Sequence, residues 1–191
     1  MKKIWLIRHG QALCNVEQLV TGSCESPLSD FGVFQVESLK SLVEKLIPNS
    51  AKIYTSSIHR AIQSAEILFP HKGKFVDDRF NEIDAGEDSE VKRLDFDTKN
   101  PSFFTNFNPH KKFNGGESHF DLFNRVNCAL REICEEPEVS DIVIVAHAGT
   151  ISTIMHGVFN VSMNHFSQFV ADNGSLSLLE WDHRVFKMTF F

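Results

Sequence analysis

Apolar residues fall along this chain either in short continuous runs or at helical spacing. Ile4-Trp5-Leu6-Ile7 and Ile142-Val143-Ile144-Val145-Ala146 are unbroken runs. Such runs read as strands buried on both faces, the kind found in parallel sheets. Strands are therefore predicted over 3–8 and 141–146. Shorter ones are predicted over 52–55, near 74–77, and near 174–181 and 184–190, with Asp182-His183 as a hairpin turn between the last two. Val36, Leu39, Val43 and Leu46 recur at helical spacing, in one helix starting at Ser29 or Asp30 and ending before Pro48. Ala61, Ala65 and Leu68 share a face of a helix from about 57 to 69. Leu122, Val126, Ala129 and Ile133 mark a long one from about 117 to 135, and another is predicted over about 149–159. Strands alternating with helices give an α/β fold.

Residues 88–114 break this alternation. They lack a clear period, carry Pro101, Pro109 and several phenylalanines, and are predicted as an insertion folded over the sheet. A chain of 191 residues fits one domain, 1–191, with a real core. Its net charge of -6 argues against a nucleic-acid partner. No stretch approaches the length of a membrane helix. Met1-Lys2-Lys3 and the apolar run behind it imitate a signal peptide, but the run stops at Arg8, too early for one. Cys14, Cys24, Cys128 and Cys134 show no Cys-x-x-Cys pairing, so reduced thiols in the cytoplasm are expected. The 18 phenylalanines against one tyrosine suggest core or cap packing and nothing more specific.

Chemistry concentrates where the strands end. Arg8-His9-Gly10-Gln11 directly follows the first apolar run, and His147-Ala148-Gly149-Thr150 directly follows the second. Ligands of open α/β sheets bind beyond the carboxyl ends of such strands. One histidine at a strand end is unremarkable, whereas two at the same structural address point to a site. The 52–55 strand ends in hydroxyl residues, and Ser56 or Ser57 is placed to cap a helix whose first turn carries Arg60. A helix amino terminus with an arginine in its first turn suits an anion. Zinc on His9, His147 and Glu82 is disfavoured, since two arginines would oppose a divalent cation and no His-Glu-x-x-His pair exists. No Gly-x-Gly-x-x-Gly follows either good strand, which argues against a dinucleotide.

Five segments in order extend this pattern: Arg8-His9-Gly10-Gln11 with Asn15, Ser56-Ser57 through Arg60-Ala61 and Gln63-Ser64-Ala65, Asn81-Glu82-Ile83-Asp84-Ala85-Gly86-Glu87, Gly115-Gly116-Glu117-Ser118, and Val145-Ala146-His147-Ala148-Gly149. Together they resemble the histidine phosphatase superfamily, also called phosphoglycerate-mutase-like, over essentially the whole chain. The resemblance implies a three-layer sandwich, a mostly parallel central sheet flanked by helices, with a small cap insertion at about 88–114. It also implies a metal-independent phosphatase that hydrolyses a small-molecule phosphomonoester through a phosphohistidine, with no cofactor. Its partner is the phosphate ester, not nucleic acid or a membrane, and a homodimer is left open.

On that reading His9 is the nucleophile, forming a covalent phosphohistidine. Arg8 and Arg60 hold the nonbridging oxygens with forked hydrogen bonds. His147, once protonated, adds a donor to the same oxygens. Glu82 is the general acid, a role that needs the bound dianion or burial to favour its protonated form. Asn15 supplies an amide donor, Gln11 orients the pocket, and Ala148 sits with the substrate-binding positions. Thr21, Gly22 and Ser57 are weaker candidates, explained almost as well by a turn and a helix cap. Gly115-Gly116-Glu117-Ser118 reads as a turn and helix start. Lys92, Arg93, Lys99, Lys111 and Lys112 of the insertion could meet anionic groups, though a solvated face explains each of them better. Phosphoglycerate mutases follow the acid with a basic and an aromatic residue, where this chain has Ile83-Asp84-Ala85, so a phosphatase is favoured. A mutase, a phosphohistidine protein phosphatase and an inactive binding module are the alternatives.

Overall fold

The computed structural model describes residues 1–22, 24–181 and 186–191. Strand β1 (Lys2–Arg8) leads through a short helix α1 (Leu13–Val16) to α2 (Asp30–Ser38) and α3 (Lys40–Leu46). Then come β2 (Lys52–Thr55), α4 (His59–Leu68) and β3 (Lys74–Val76), followed by two 3₁₀ turns and α5 (Arg93–Lys99). The chain closes with α6 (His119–Glu135), β4 (Asp141–Ala146), α7 (Ala148–Val158), a 3₁₀ segment (Met163–Gln168), β5 (Leu176–Trp181) and β6 (Phe186–Phe190).

These strands form one six-stranded sheet in the order β3-β2-β4-β1-β5-β6. The first four in that order run parallel, and β5 and β6 are antiparallel to their neighbours. The apolar runs are buried on both faces as the side-chain period of two requires. Ile4, Leu6, Ile142 and Ile144 point into one core layer, with Leu122, Val126 and Ile133 of α6 and Ile151 and Ile154 of α7. Trp5, Ile7, Val143 and Val145 point into the other, with Val36, Val43, Ala65 and Leu68 of α2, α3 and α4. Two helical layers therefore enclose the sheet. The connections leave β1 over one face and return to β4 over the other, so the carboxyl ends of β1, β2 and β4 meet at a topological switch point.

Several boundaries differ from the sequence reading. The single helix expected up to residue 46 is split at Leu39, whose amide bonds to the Val36 carbonyl three residues back instead of four. The helix after β2 starts at His59 with Ile58 as its N-cap, so neither Ser56 nor Ser57 occupies the cap, although Ser56 Oγ accepts from the Ile58 amide. Helix α6 starts at His119 behind Ser118, which forms a reciprocal capping box with Asp121. The insertion is not wholly irregular: it contains α5, and its phenylalanines pack on each other. Phe96, Phe103 and Phe113 are buried, with Phe104 against them, at ring-centroid distances of 4.7 to 5.8 Å. Five of the 18 phenylalanines thus lie in this insertion. The Asp182-His183 turn lies outside the described residues.

Candidate active site

His9 follows β1, and its backbone is fastened on both sides. Its amide donates to the Ala146 carbonyl at the end of β4 (3.1 Å), and its carbonyl accepts from the Gly174 amide (3.0 Å) and Asn173 Nδ2 (3.2 Å). Gly10 is required beside it, because a Cβ there would lie 2.2 Å from the Gly32 carbonyl oxygen of α2. The His9 ring stands edge to face with that of His147, centroids 5.0 Å apart. Both rings are buried, as is Arg60, at 1% exposure.

Hydrogen bonds assign the proton on each ring. His9 Nδ1 lies 2.6 Å from the Gly10 carbonyl, an acceptor, so Nδ1 carries the hydrogen. The lone pair is then on Nε2, which accepts from Arg60 Nε at 3.1 Å. For His147 the order is reversed. Ser56 Oγ donates to Asn81 Oδ1 (2.8 Å), so it accepts from His147 Nε2 at 2.7 Å. The lone pair is left on Nδ1, a buried atom without a protein partner among the described residues. Burial lowers both rings well below the ordinary value of 6.5, and Arg60 lowers them further. Both imidazoles are neutral in this state. The donor role expected of His147 once protonated would therefore require it to gain a proton.

Arg8 reaches the Ala171 carbonyl through Nη1 (2.6 Å), while its buried Nε has no partner among the described residues. Burial lowers its guanidinium from the ordinary value, against the nearby Glu82 and Asp172, which raise it. Glu82 is 9% exposed and is held at the amino terminus of α7. Its Oε2 accepts from the Gly149 amide (3.0 Å) and its Oε1 from the Ile83 amide (3.0 Å). Only glycine permits this approach, since a Cβ at 149 would lie 2.1 Å from Glu82 Oε1. The helix start supplies an oriented donor and a favourable dipole for the carboxylate. An unprotonated imidazole nitrogen, two guanidinium groups, a second imidazole and a carboxyl thus converge where three parallel strands end. The profile of the histidine phosphatase superfamily (branch 1) matches residues 4–191.

The chain belongs to that superfamily. It is 28% identical to phosphoserine phosphatase 1 of Hydrogenobacter thermophilus, covering 96% of this chain and 89% of the relative. It is 26% identical to a probable phosphoglycerate mutase of Proteus mirabilis, covering 96% and 86%. In fold it is similar to the crystal structure of a putative alpha-ribazole-5'-P phosphatase from Escherichia coli, at TM-score 0.89 and 22% identity, covering 99% of this chain and 95% of that one.

Within this histidine phosphatase, the expected site residues separate into those that meet and those that support. His9, His147, Arg60, Arg8 and Glu82 meet. Arg60 is differently engaged from expectation: Nη1 and Nη2 donate to the carbonyls of Cys24 (2.6 Å) and Gly22 (3.2 Å), so the loop after α1 anchors it. Gly22 accordingly offers Arg60 an acceptor, and the Thr21 carbonyl closes a turn with the Cys24 amide. Asn15 Oδ1 caps the Ala12 amide, which leaves its Nδ2 as the donor end. Gln11 accepts from Ser29 Oγ, the α2 N-cap, and so braces the loop. Ser57 bonds to Asn81 through its amide and hydroxyl, away from His147. Ala148 lines a cavity at the start of α7.

Four contributors were missed. Ser56, not Ser57, contacts His147, and its place at the carboxyl end of β2 was the available signal. Asn81 ties Ser56 and Ser57 to the Glu82 segment. Arg125 of α6 donates to the carbonyls of Arg79, Asn81 and Glu82 at 2.8 to 3.0 Å. Glu117 pairs with Arg125 through both carboxylate oxygens at 2.8 Å and also accepts from the Asp84 amide. Among the described residues no group of three His, Cys, Asp or Glu side chains is placed to hold a metal ion, and no helix is long and apolar enough to cross a membrane.

Proposed function

We propose that this chain hydrolyses small-molecule phosphomonoesters through a phosphohistidine on His9, without a metal ion. The observation that carries this reading is the state of the His9 ring. Its Nδ1 proton is committed to Gly10, its Nε2 lone pair is free of a proton, and burial among cations keeps it so. Arg60 Nε marks the direction of the lone pair and can pass its hydrogen bond to a phosphoryl oxygen as the ester arrives. Arg8, whose Nε has no partner among the described residues, supplies a second cationic donor. Nε2 then attacks phosphorus as the bond to the leaving oxygen breaks, and Glu82, which takes a proton from solvent as the dianion binds beside it, delivers that proton to the leaving oxygen. The dianion favours protonation of His147 at Nδ1, giving a further donor to the equatorial oxygens. Water next attacks the phosphohistidine with its proton passing to Glu82, the nitrogen–phosphorus bond breaks, and phosphate leaves.

Hydrolysis is favoured over mutase chemistry by the residues beside the acid. Ile83 and Ala85 are buried and Asp84 is acidic, a set that offers a substrate carboxylate no clamp. The names of relatives, phosphoserine phosphatase and alpha-ribazole phosphatase among them, support a soluble phosphate ester as substrate. Brief mixing with p-nitrophenyl phosphate labelled in the phosphoryl group, then quenching in base, should leave an acid-labile, base-stable label on His9. His9→Ala should lose both label and turnover. Label on a serine, or label persisting in the variant, would overturn the assignment.

A further inference from the structure

A cavity of about 310 Å³ lies beside the Glu82 segment, with Ala148 and Gly149 from the first turn of α7 in its lining. Gly149 also donates its amide to the Glu82 carboxyl, so the cavity adjoins the group read as the proton donor. Aromatic rings make up much of its lining, with Ser152, Asn164, Ser167 and Val170 beside them. Phe104 and Phe107 come from the insertion, and Phe166 and Phe169 from the segment between α7 and β5. His119, at the start of α6, lies between Phe107 and Phe166, with ring centroids at 4.9 and 4.5 Å. Two of the four phenylalanines are braced from behind by the buried His156, at 6.1 Å from Phe166 and 4.9 Å from Phe169.

We propose that this cavity is the leaving-group subsite, and that it selects phosphate esters of flat aromatic alcohols about two rings in size. The proposal rests on the phosphomonoesterase reading and adds the body of the substrate to it. Size is the first argument: 310 Å³ is about twice the ~150 Å³ that admits one benzene ring. Surface chemistry is the second. Aromatic rings favour offset or edge-to-face packing on other rings, which four phenylalanines and an imidazole offer from several sides. Charge is the third. The one arginine at the cavity, Arg93, lies over the Phe104 ring at 3.9 Å and already donates to Asp97 at 2.9 Å. His119 is kept neutral by burial, its pKa pushed down to about 4. An ammonium would meet no carboxylate in this lining, and a carboxylate would have to compete with Asp97 for Arg93, so a charged leaving group would lose water here for little return.

Two esters of primary alcohols separate the body from the chemistry: 2-naphthylmethyl phosphate and 2-hydroxyethyl phosphate. The naphthyl ester should have a kcat/KM about 10- to 100-fold higher, the factor that burying one large apolar group provides. Phosphoserine should fall with the hydroxyethyl ester. Phe107→Ala should remove most of that ratio. So should Ser167→Trp, which fills the mouth from an exposed position and leaves the core intact. Equal constants for the two esters, or a ratio that survives both substitutions, would overturn the subsite while p-nitrophenyl phosphate is still hydrolysed. Failure to release phosphate from any ester would overturn the underlying reading as well.

Discussion

The reactivity assigned to His9 comes down to which ring nitrogen holds the proton. An imidazole exposed to water would be protonated over much of the range below pH 6.5 and would lose its nucleophile there. Burial first, then Arg60 and Arg8, push the His9 ring well below that value, and the Gly10 carbonyl only partly opposes them. The sign of the consequence is definite. A lowered pKa keeps the nucleophile neutral as the pH falls, so the free enzyme should not lose activity through His9 near pH 6.5. Plotted for p-nitrophenyl phosphate between pH 5 and 8 and corrected for ionisation of the substrate, kcat/KM should show no falling limb centred near 6.5. Such a limb, if it moved to higher pH when Arg60 was changed to Met, would mean that His9 titrates in this range and that the tautomer argument is wrong. His9 and His147 were legible because each directly follows a buried apolar run. The partners of Arg60 were not: the carbonyls of Gly22 and Cys24 lie 38 and 36 residues away and leave no local trace. Ser56 and Ser57 show how fine the limit is, since a shift of one residue decides which hydroxyl meets His147.

At the scale of elements, Glu82, the proposed general acid, is positioned by a helix on which it does not sit. Arg125 lies beside the apolar stripe Leu122, Val126, Ala129 and Ile133 of α6, and by pattern alone reads as a solvated position. In the fold its fork spans Glu117 and three carbonyls of the segment that ends in Glu82. The Gly115-Gly116-Glu117-Ser118 turn thus starts α6 and also sends Glu117 to the Asp84 amide. Replacing Arg125 by Met would leave these acceptors unpaired. With about a fifth of each ion-pair partner exposed, the loss should be on the order of 2 kcal/mol, short of a fully buried pair. Arg125→Lys should recover little, because an ammonium cannot make the forked pair. A positioning role has a second signature. Both variants should slow esters of poor leaving groups more than p-nitrophenyl phosphate, whose leaving group hardly needs the Glu82 proton. Equal losses on the two ester types would reduce Arg125 to a structural residue. Helices and strands with a clear period were legible to within a few residues. The cap was not, because its phenylalanines pack ring on ring rather than along a face.

Taken as a whole, the molecule buries neutral imidazoles on and beside the sheet, and this ties its stability to pH. His9 and His147 lie at the strand ends and His119 at the start of α6, all buried and all lowered, His119 to about 4. Above pH 6.5 folded and unfolded chains both hold these rings neutral, so nothing is lost. As the pH falls below 6.5 the unfolded chain takes up protons first, and folding is progressively disfavoured until the folded-state pKa is passed. For His119 alone the loss by pH 5 should be about 2 kcal/mol, or roughly 4–8 °C in Tm for a chain of this size. Carboxylates act in a different window. Asp121, bonded to Ser118 and Lys112 and lowered to about 2, gives up its contribution only below about pH 4. A Tm that declines between pH 7 and 5 is therefore assignable to the histidines. His119→Phe keeps the aromatic packing against Phe107 and Phe166 and removes the titrating nitrogens. Referenced to its own Tm at pH 7.5, the variant should lose several degrees less than the parent on going to pH 5. A decline of the same steepness in both proteins would show that His119 is protonated as readily in the folded chain as in the unfolded one.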